Sequence, residues 1–167
     1  MLSTKPLILS ITLGLRRIAA GPHAVSLRGE KQPTHITLTD HNCEGHARAI
    51  FDMLKYEGYL DWIPMELKWF EDVGLSPRTY DGTFRRFCQE HGYLLLTGNR
   101  SGDDGDLSLE LITRRLVSSE SLLVLFISNQ KRVLRRPDYC RWCAERLAEI
   151  VFELEKYRGI TRLYLPS

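Results

Sequence analysis

Acidic side chains recur in this sequence at points where an apolar, β-forming run ends. Asp40 follows HITLT, Glu71 and Asp72 follow MELKWF, and the acidic stretch GNRSGDDGD follows YLLLT. Carboxylates that share a small volume repel one another and raise one another's pKa, so they are favourable chiefly when a cation neutralises them. Oxygen ligands of this kind suit Mg²⁺ or Mn²⁺. If these segments meet in space, the chemistry they predict is that of a divalent metal site.

The elements that position these residues follow from the apolar patterns after residue 34. Five runs are typical of strands: HITLTD, MELKWF, YLLLT, SLLVLFI and TRLYLP. Helices are predicted from Glu44 to about Glu57, from Asp81 onward, through LSLELITRRL, and from Pro137 to Gly159, whereas SNQKRVLRRPD is predicted to be a basic loop. This βαβαβαβαβ order predicts a three-layer αβα domain with a mostly parallel sheet of about five strands. In such folds the carboxyl ends of the strands carry the site.

The 167-residue chain is predicted to hold a flexible N-terminal extension, residues 1–34, and one domain, residues 35–167. The extension carries five basic residues and one acidic residue, a local charge of +4, which leaves −2 of the net +2 for the domain. The run PLILSITLGL is similar to a signal segment, but Arg16 and Arg17 occupy the place of a small, uncharged cleavage region. Four unevenly spaced cysteines favour a cytoplasmic protein, and no apolar run approaches the length of a membrane span.

A structural interpretation of the same residues stays open. Asp40 and Asp81 each precede or open a predicted helix, where an aspartate commonly caps the free N–H groups. The stretch SGDDGD is equally typical of a solvated turn. Either role would leave these carboxylates without a metal.

The order of the motifs resembles the PIN-like family, in particular its small bacterial members with a D-[EH]-N opening. The matching segments are TDHN after the first strand, DVGL and YDGTFRRFCQEHGYLLLTGNR in the middle, and LLVLFI next. The resemblance covers nearly all of residues 35–167. It implies a three-layer αβα fold that binds Mg²⁺ or Mn²⁺ and hydrolyses RNA phosphodiesters, often as the toxin of a toxin–antitoxin pair. RNA and an antitoxin protein are therefore the expected partners.

The resemblance also implies a set of site residues. Asp40 matches the first-strand aspartate and Asp81 the aspartate that opens the central helix, while Asn99 stands where many members carry a carboxylate. No residue matches the family's helix glutamate clearly, and Glu44, one turn past Asp40, is the nearest candidate. The predicted catalytic residues are Asp40, Asp81, Asn99 and Asp104; the predicted metal ligands are Asp40, Asp81, Asp103, Asp104 and Glu44; the predicted phosphate-binding residues are Arg100, Lys131 and Arg132.

Other interpretations compete with this one. Asn99 is a neutral, weaker ligand than a carboxylate, which favours a catalytically degenerate PIN-like fold that binds RNA or protein. Two ligand pairs have zinc-like spacing but lie on predicted helices, where core packing explains them: Cys43 with His46, and Cys140 with Cys143. A final set of aromatic residues is predicted to be core, with a homodimer interface as the alternative: Tyr56, Tyr59, Trp62 and Trp69.

Overall fold

A computed structural model of the chain describes residues 34–98, 121–160 and 162–166. The chain divides into two compact units, Met1–Gln32 and Pro33–Ser167, and every element below belongs to the second. The predicted extension, apart from Thr34, and the helix predicted in LSLELITRRL lie outside the described residues. Within the described ranges no helix is long and apolar enough to cross a lipid bilayer.

Five short strands form one sheet in which every neighbouring pair is parallel, in the order β2-β1-β3-β4-β5. The parallel α/β architecture predicted from the sequence is therefore confirmed. Each strand is shorter than its apolar run, because the outer residues of the runs form loops and turns. The strands are β1 His35–Thr39, β2 Met65–Lys68, β3 Leu94–Thr97, β4 Val124–Ile127 and β5 Arg162–Leu165.

Four α-helices cover the sheet in the described residues: α1 Glu44–Tyr56, α2 Asp81–His91, α3 Gln130–Arg135 and α4 Pro137–Phe152. Helix α1 buries a stripe of residues spaced three and four apart, which is the periodicity that predicted it: Ala47, Ile50, Phe51 and Leu54. Pro137 occupies the first turn of α4, where its missing N–H has no helical partner to lose. These two helices pack against each other on one face of the sheet.

The two faces of the sheet carry separate apolar clusters, because alternate residues of a strand point to opposite sides. Leu94 and Leu96 of β3 join the cluster beneath α1 and α4. Leu38 of β1 and Leu95 of β3 join the other cluster, in which Phe84 represents α2. The described elements therefore form three layers, with α2 on one side of the sheet and α1 with α4 on the other.

One prediction about local structure is wrong. The segment predicted as a basic loop contains α3, a short helix that follows β4. The side chain of Asn129 accepts a hydrogen bond of 3.1 Å from the backbone N–H of Arg132 and so caps this helix. Val133 is buried and anchors it to the core. Asn129 and Val133 lie in a run of charged residues, which is typical of a loop, so the sequence did not predict this helix.

The aromatic residues near β2 divide between core and surface. Trp69 and Tyr59 pack against the larger cluster, as predicted. Tyr56 and Trp62 are instead 80% and 60% exposed. The core prediction therefore holds for one half of this set and is wrong for the other.

Candidate functional site at the carboxyl edge of the sheet

The strand order has one point at which the chain changes direction across the sheet. After β1 the chain passes to β2 on one side, and it then returns to form β3 on the other side of β1. In open parallel sheets, ligands bind outside the carboxyl ends of the two strands that flank such a switch point. Asp40 directly follows β1 and Thr97 ends β3, so both residues lie at this position.

Asp40 and Thr97 are brought together by the strand register. Thr39 pairs with Leu96 between β1 and β3, so Asp40 stands opposite Thr97. By alternation from Leu38 and Leu95, both side chains lie on the face of the sheet that α2 covers. The hydroxyl of Thr97 donates a hydrogen bond to Oδ2 of Asp40. This bond fixes the orientation of the carboxylate at the edge.

The second oxygen of the Asp40 carboxylate has no such support. Oδ1 is buried and has no hydrogen-bond partner within the described residues. Asp40 precedes the 3₁₀ turn His41–Cys43 but makes no side-chain cap hydrogen bond to it. The interpretation of Asp40 as an ordinary cap therefore lacks its defining contact.

Burial raises the pKa of the Asp40 carboxyl above its ordinary value. The hydrogen bond from Thr97 and the nearby backbone N–H groups of Asn42 and Cys43 act in the opposite direction, as does His41, but burial outweighs them. The two N–H groups lie close enough to lower the pKa without meeting the geometry of a cap. A charge in this position gains stability from any cation that approaches Oδ1.

Cys43 lies beside Asp40 but is chemically inert. Burial, together with the neighbouring Asp40 carboxylate, raises the pKa of its thiol to about 12. A thiol with this pKa stays protonated at neutral pH and is a poor nucleophile. The contacts of Cys43 with Thr39 and with the backbone of Gly98 make it part of the packing beneath the edge.

Gly98, the residue after β3, is tightly covered by the first residue of α3. A Cβ added at Gly98 would lie 1.6 Å from Nε2 and 2.2 Å from Cδ of Gln130. No side chain larger than hydrogen fits there unless Gln130 moves. The carboxyl edge therefore holds two contacts between segments that are distant in the sequence, Asp40 with Thr97 and Gly98 with Gln130.

Glu44, the predicted helix ligand, is paired with another side chain. Its Oε1 lies 3.0 Å from Nδ1 of His41, whose side chain is exposed, while that of Glu44 is partly exposed. A pair this exposed contributes little to stability and breaks readily. Glu44 thus remains accessible near Asp40, with His41 as a competitor for its oxygen.

Asp81 opens α2, and the backbone alone indicates where that opening lies. Only Gly92 and Tyr93 separate the end of α2 from the start of β3, and α2 packs along the sheet. The first turn of α2 therefore lies toward the carboxyl edge, as in other βαβ units. Four further predicted site residues lie outside the described ranges: Asn99, Arg100, Asp103 and Asp104.

The predicted phosphate-binding residues of the former loop lie on α3. Lys131 and Arg132 follow Gln130 directly and are exposed. The guanidinium carbon of Arg132 lies 5.7 Å from the centre of the Tyr139 ring, a cation–π contact that directs the side chain towards α4. Since α3 begins three residues after β4 ends, both cations lie near the edge that carries Asp40.

One residue of the acidic pair that follows β2, Asp72, has a structural role. Oδ2 of Asp72 accepts a hydrogen bond of 2.8 Å from the backbone N–H of Trp69. This contact closes the turn that contains Glu71–Val73. Asp72 therefore provides a reference carboxylate at the same edge, satisfied by the backbone rather than left open.

The zinc alternative receives no support from the described side chains. Across the described ranges no group of three or more His, Cys, Asp or Glu is arranged to hold a metal ion. Cys140 donates to the carbonyl oxygen of Ala49 at 3.4 Å, and burial raises the pKa of Cys143 to about 12. Both thiols belong to the packed core.

Sequence reasoning missed two residues of this edge. Thr97 is a polar residue at the end of the apolar run YLLLT, and that position is the signal that predicts a site contact. Gln130 gave no signal, because the helix that places it was not recognised. Comparison with family models, with curated proteins and with solved structures found no match to this chain. Fold and site define it as a doubly wound parallel α/β domain with a partly buried carboxylate at its switch point.

Proposed function

We propose that this domain is a Mg²⁺- or Mn²⁺-dependent, PIN-like ribonuclease that hydrolyses RNA phosphodiesters. The observation that carries the proposal is the Asp40 carboxylate, held by Thr97 at the switch point with Oδ1 buried and unpartnered among the described residues. A buried polar atom without a partner is unfavourable, so its retention points to a ligand that is bound there. For a carboxylate oxygen that ligand is a cation.

The oxygen donors predicted for the site are of the kind that a hard divalent ion prefers. Asp40 and Asp81 would hold it, with Asn99, Asp103 and Asp104 as further oxygen ligands and Glu44 within one turn of Asp40. Such an ion lowers the pKa of a bound water and neutralises charge on the phosphoryl oxygens. The protein's own contribution is to orient the carboxylates, and Thr97 performs this task for Asp40.

Basic residues supply the complementary part of the proposal. Lys131 and Arg132 are exposed on α3, and Arg100 follows β3 in the sequence. Cations near a metal-bound phosphate position the nucleic acid backbone without reading its sequence. An antitoxin protein that covers this edge, a homodimer and a cytoplasmic location belong to the same proposal.

Cleavage of single-stranded RNA with Mn²⁺ tests the function directly. The wild type is compared with the double variant Asp40→Asn, Asp81→Asn, which removes both charges and keeps similar volumes. Asp72→Asn is the matched control, because Asp72 lies at the same edge and binds the backbone. We expect cleavage by the wild type and the control and its loss in the double variant. Equal activity in all three proteins would exclude Asp40 and Asp81 as ligands.

A degenerate domain that binds RNA or protein without cleavage is the alternative. It is favoured by the absence of a three-ligand group among the described residues and by the amide at Asn99. Titration calorimetry with Mn²⁺ separates the two proposals: heat of binding that Asp40→Asn abolishes supports the nuclease, and no heat from a folded wild type supports the alternative.

A further inference from the structure

Arg85, in the second turn of α2, is a charged side chain that the fold encloses completely. Its exposed fraction is 0%. None of its three guanidinium nitrogens, Nε, Nη1 and Nη2, has a hydrogen-bond partner within the described residues. Burial lowers the pKa of the group, but an arginine stays protonated at neutral pH. Five N–H donors and a positive charge are therefore enclosed here, which is unfavourable unless a negative group neutralises them.

The described neighbours of Arg85 do not supply that negative charge. Phe84 and Cys88, on the same helix, belong to the apolar cluster on this side of the sheet. Burial raises the pKa of the Cys88 thiol to about 12, and the nearby Arg85 acts in the opposite direction without offsetting it. The thiol is therefore neutral at ordinary pH. Among the described groups, Cys88 is the one whose charge would affect the pKa of Arg85.

Arginines nearer the surface of the domain have carboxylate partners, in contrast to Arg85. Four partly or largely exposed arginines form ion pairs with neighbouring acids: Arg136 with Asp138, Arg141 with Glu57, Arg146 with Glu149 and Arg158 with Glu155. Pairing matters least at the surface, where water solvates the charge, and most in the interior. The described arginine with the greatest need of a partner is thus the one without it, which points to a partner from outside the chain.

We propose that Arg85 binds a small oxyanion with the chemistry of phosphate, on the side of the sheet that α2 covers. The planar guanidinium group donates two parallel hydrogen bonds to a pair of phosphate oxygens, and the charge of the anion neutralises its own. Complete burial favours inorganic phosphate, or the terminal phosphate of a mononucleotide, over an internal phosphate of a nucleic acid chain. The inference goes beyond the proposed function, since this site uses neither Asp40 nor a metal ion.

Thermal unfolding with sodium phosphate tests the proposal. The protein is first dialysed against chloride buffer, and sodium chloride keeps the ionic strength constant. Arg85→Met removes the donors and the charge. Arg86→Met is the matched control, because it removes the same charge from the next position of α2, where the side chain is exposed. At a phosphate concentration of one hundred times Kd, the Tm of the wild type and the control should rise by about 5–10 °C, and that of Arg85→Met should not change.

Titration calorimetry measures Kd and separates the two sources of the phosphate group. The titrants are inorganic phosphate, uridine 5′-monophosphate and uridine. Equal Kd values for phosphate and the nucleotide support the proposal with free phosphate as the ligand. Tighter binding of the nucleotide, with none of uridine, supports it with a mononucleotide. Arg85→Lys keeps the charge but loses the planar pair of donors, so its Kd should be at least about 10-fold higher than that of the wild type.

Three results would overturn the proposal. The first is a wild type that binds neither phosphate nor the nucleotide, a measurement that does not depend on the folding of any variant. The second is an equal rise in Tm for the wild type and Arg85→Met, which would show that phosphate acts elsewhere. The third is a loss of stability in Arg85→Met in chloride buffer together with no effect of phosphate on the wild type, which would show that a carboxylate of the chain already pairs with Arg85.

Discussion

Asp40→Asn is predicted to stabilise the domain at neutral pH. The substitution removes a charge whose pKa burial raises, and each unit of such a rise corresponds to about 1.4 kcal/mol of unfavourable interaction of the ionised form. The bond from Thr97 favours the charged form, but the raised pKa is already the net result of burial and of this bond. We expect a net gain in the free energy of unfolding, about 1.4 kcal/mol for each unit by which the folded-state pKa exceeds the unfolded value, and a corresponding rise in Tm.

The stability difference between Asp40→Asn and the wild type should depend on pH in a defined direction. The folded-state pKa of Asp40 lies above the unfolded value, so the folded protein binds the proton more tightly. Stability therefore falls as pH rises from the unfolded pKa, about 3.9, through the raised folded pKa, and stays reduced above it. The advantage of Asp40→Asn should grow with pH through this window and then remain constant.

Urea unfolding of wild type and Asp40→Asn between pH 4 and pH 8, without divalent ions, measures this difference. Addition of Mn²⁺ should then raise the stability of the wild type and leave the variant unchanged, because only the wild type offers the carboxylate. Deletion of a helix cap usually lowers the free energy of unfolding by about 1 kcal/mol, whatever the pH. If Asp40→Asn shows such a loss at every pH, the reasoning is refuted.

Two further variants test buried polar groups away from the edge. Arg85, on α2, is 0% exposed, and its guanidinium nitrogens have no partner in the described part of the chain. Arg85→Met should therefore raise the free energy of unfolding, measured with urea, by about 1–3 kcal/mol. A decrease would mean that an anion pairs with Arg85. Nε2 of Gln89 donates to the carbonyl oxygen of Leu122 at 2.9 Å, and Oε1 of Gln89 accepts from the backbone N–H of Leu122 at 2.8 Å. Gln89→Leu should therefore lower the free energy of unfolding by about 2–4 kcal/mol, whereas a change below about 0.5 kcal/mol would indicate that water replaces the amide.

The fold could be predicted because its signals are local. The apolar stripe of α1, Pro137 at the start of α4 and the short β-forming runs each lie within one element, and alternation of strand and helix leaves few topologies. The location of Asp40 at the carboxyl edge follows from the same pattern. The order of the strands in the sheet determines which residues lie beside Asp40, and no single segment of the sequence indicates that order.

The details of the site could not be predicted, since they depend on contacts between distant residues. The register that places Thr97 opposite Asp40 joins two strands more than fifty residues apart. The contact of Gln130 with Gly98 depends in addition on α3, whose charged sequence predicts a loop. Exposure of Trp62 was missed for a different reason: an aromatic residue has no periodicity of its own outside a strand or helix.

Two aspartates at the carboxyl edge of the sheet have different surroundings, one typical of a structural role and the other of a functional role. Asp72 accepts a backbone hydrogen bond that closes its turn, so it stabilises the fold and needs no further ligand. Asp40 has one oxygen fixed by a side chain and the other buried without a partner among the described residues, an arrangement that lowers stability. Local conflicts of this kind are concentrated at functional sites, where selection retains them against their effect on stability. If Asp72→Asn destabilises the domain while Asp40→Asn stabilises it, the two carboxylates have these opposite roles.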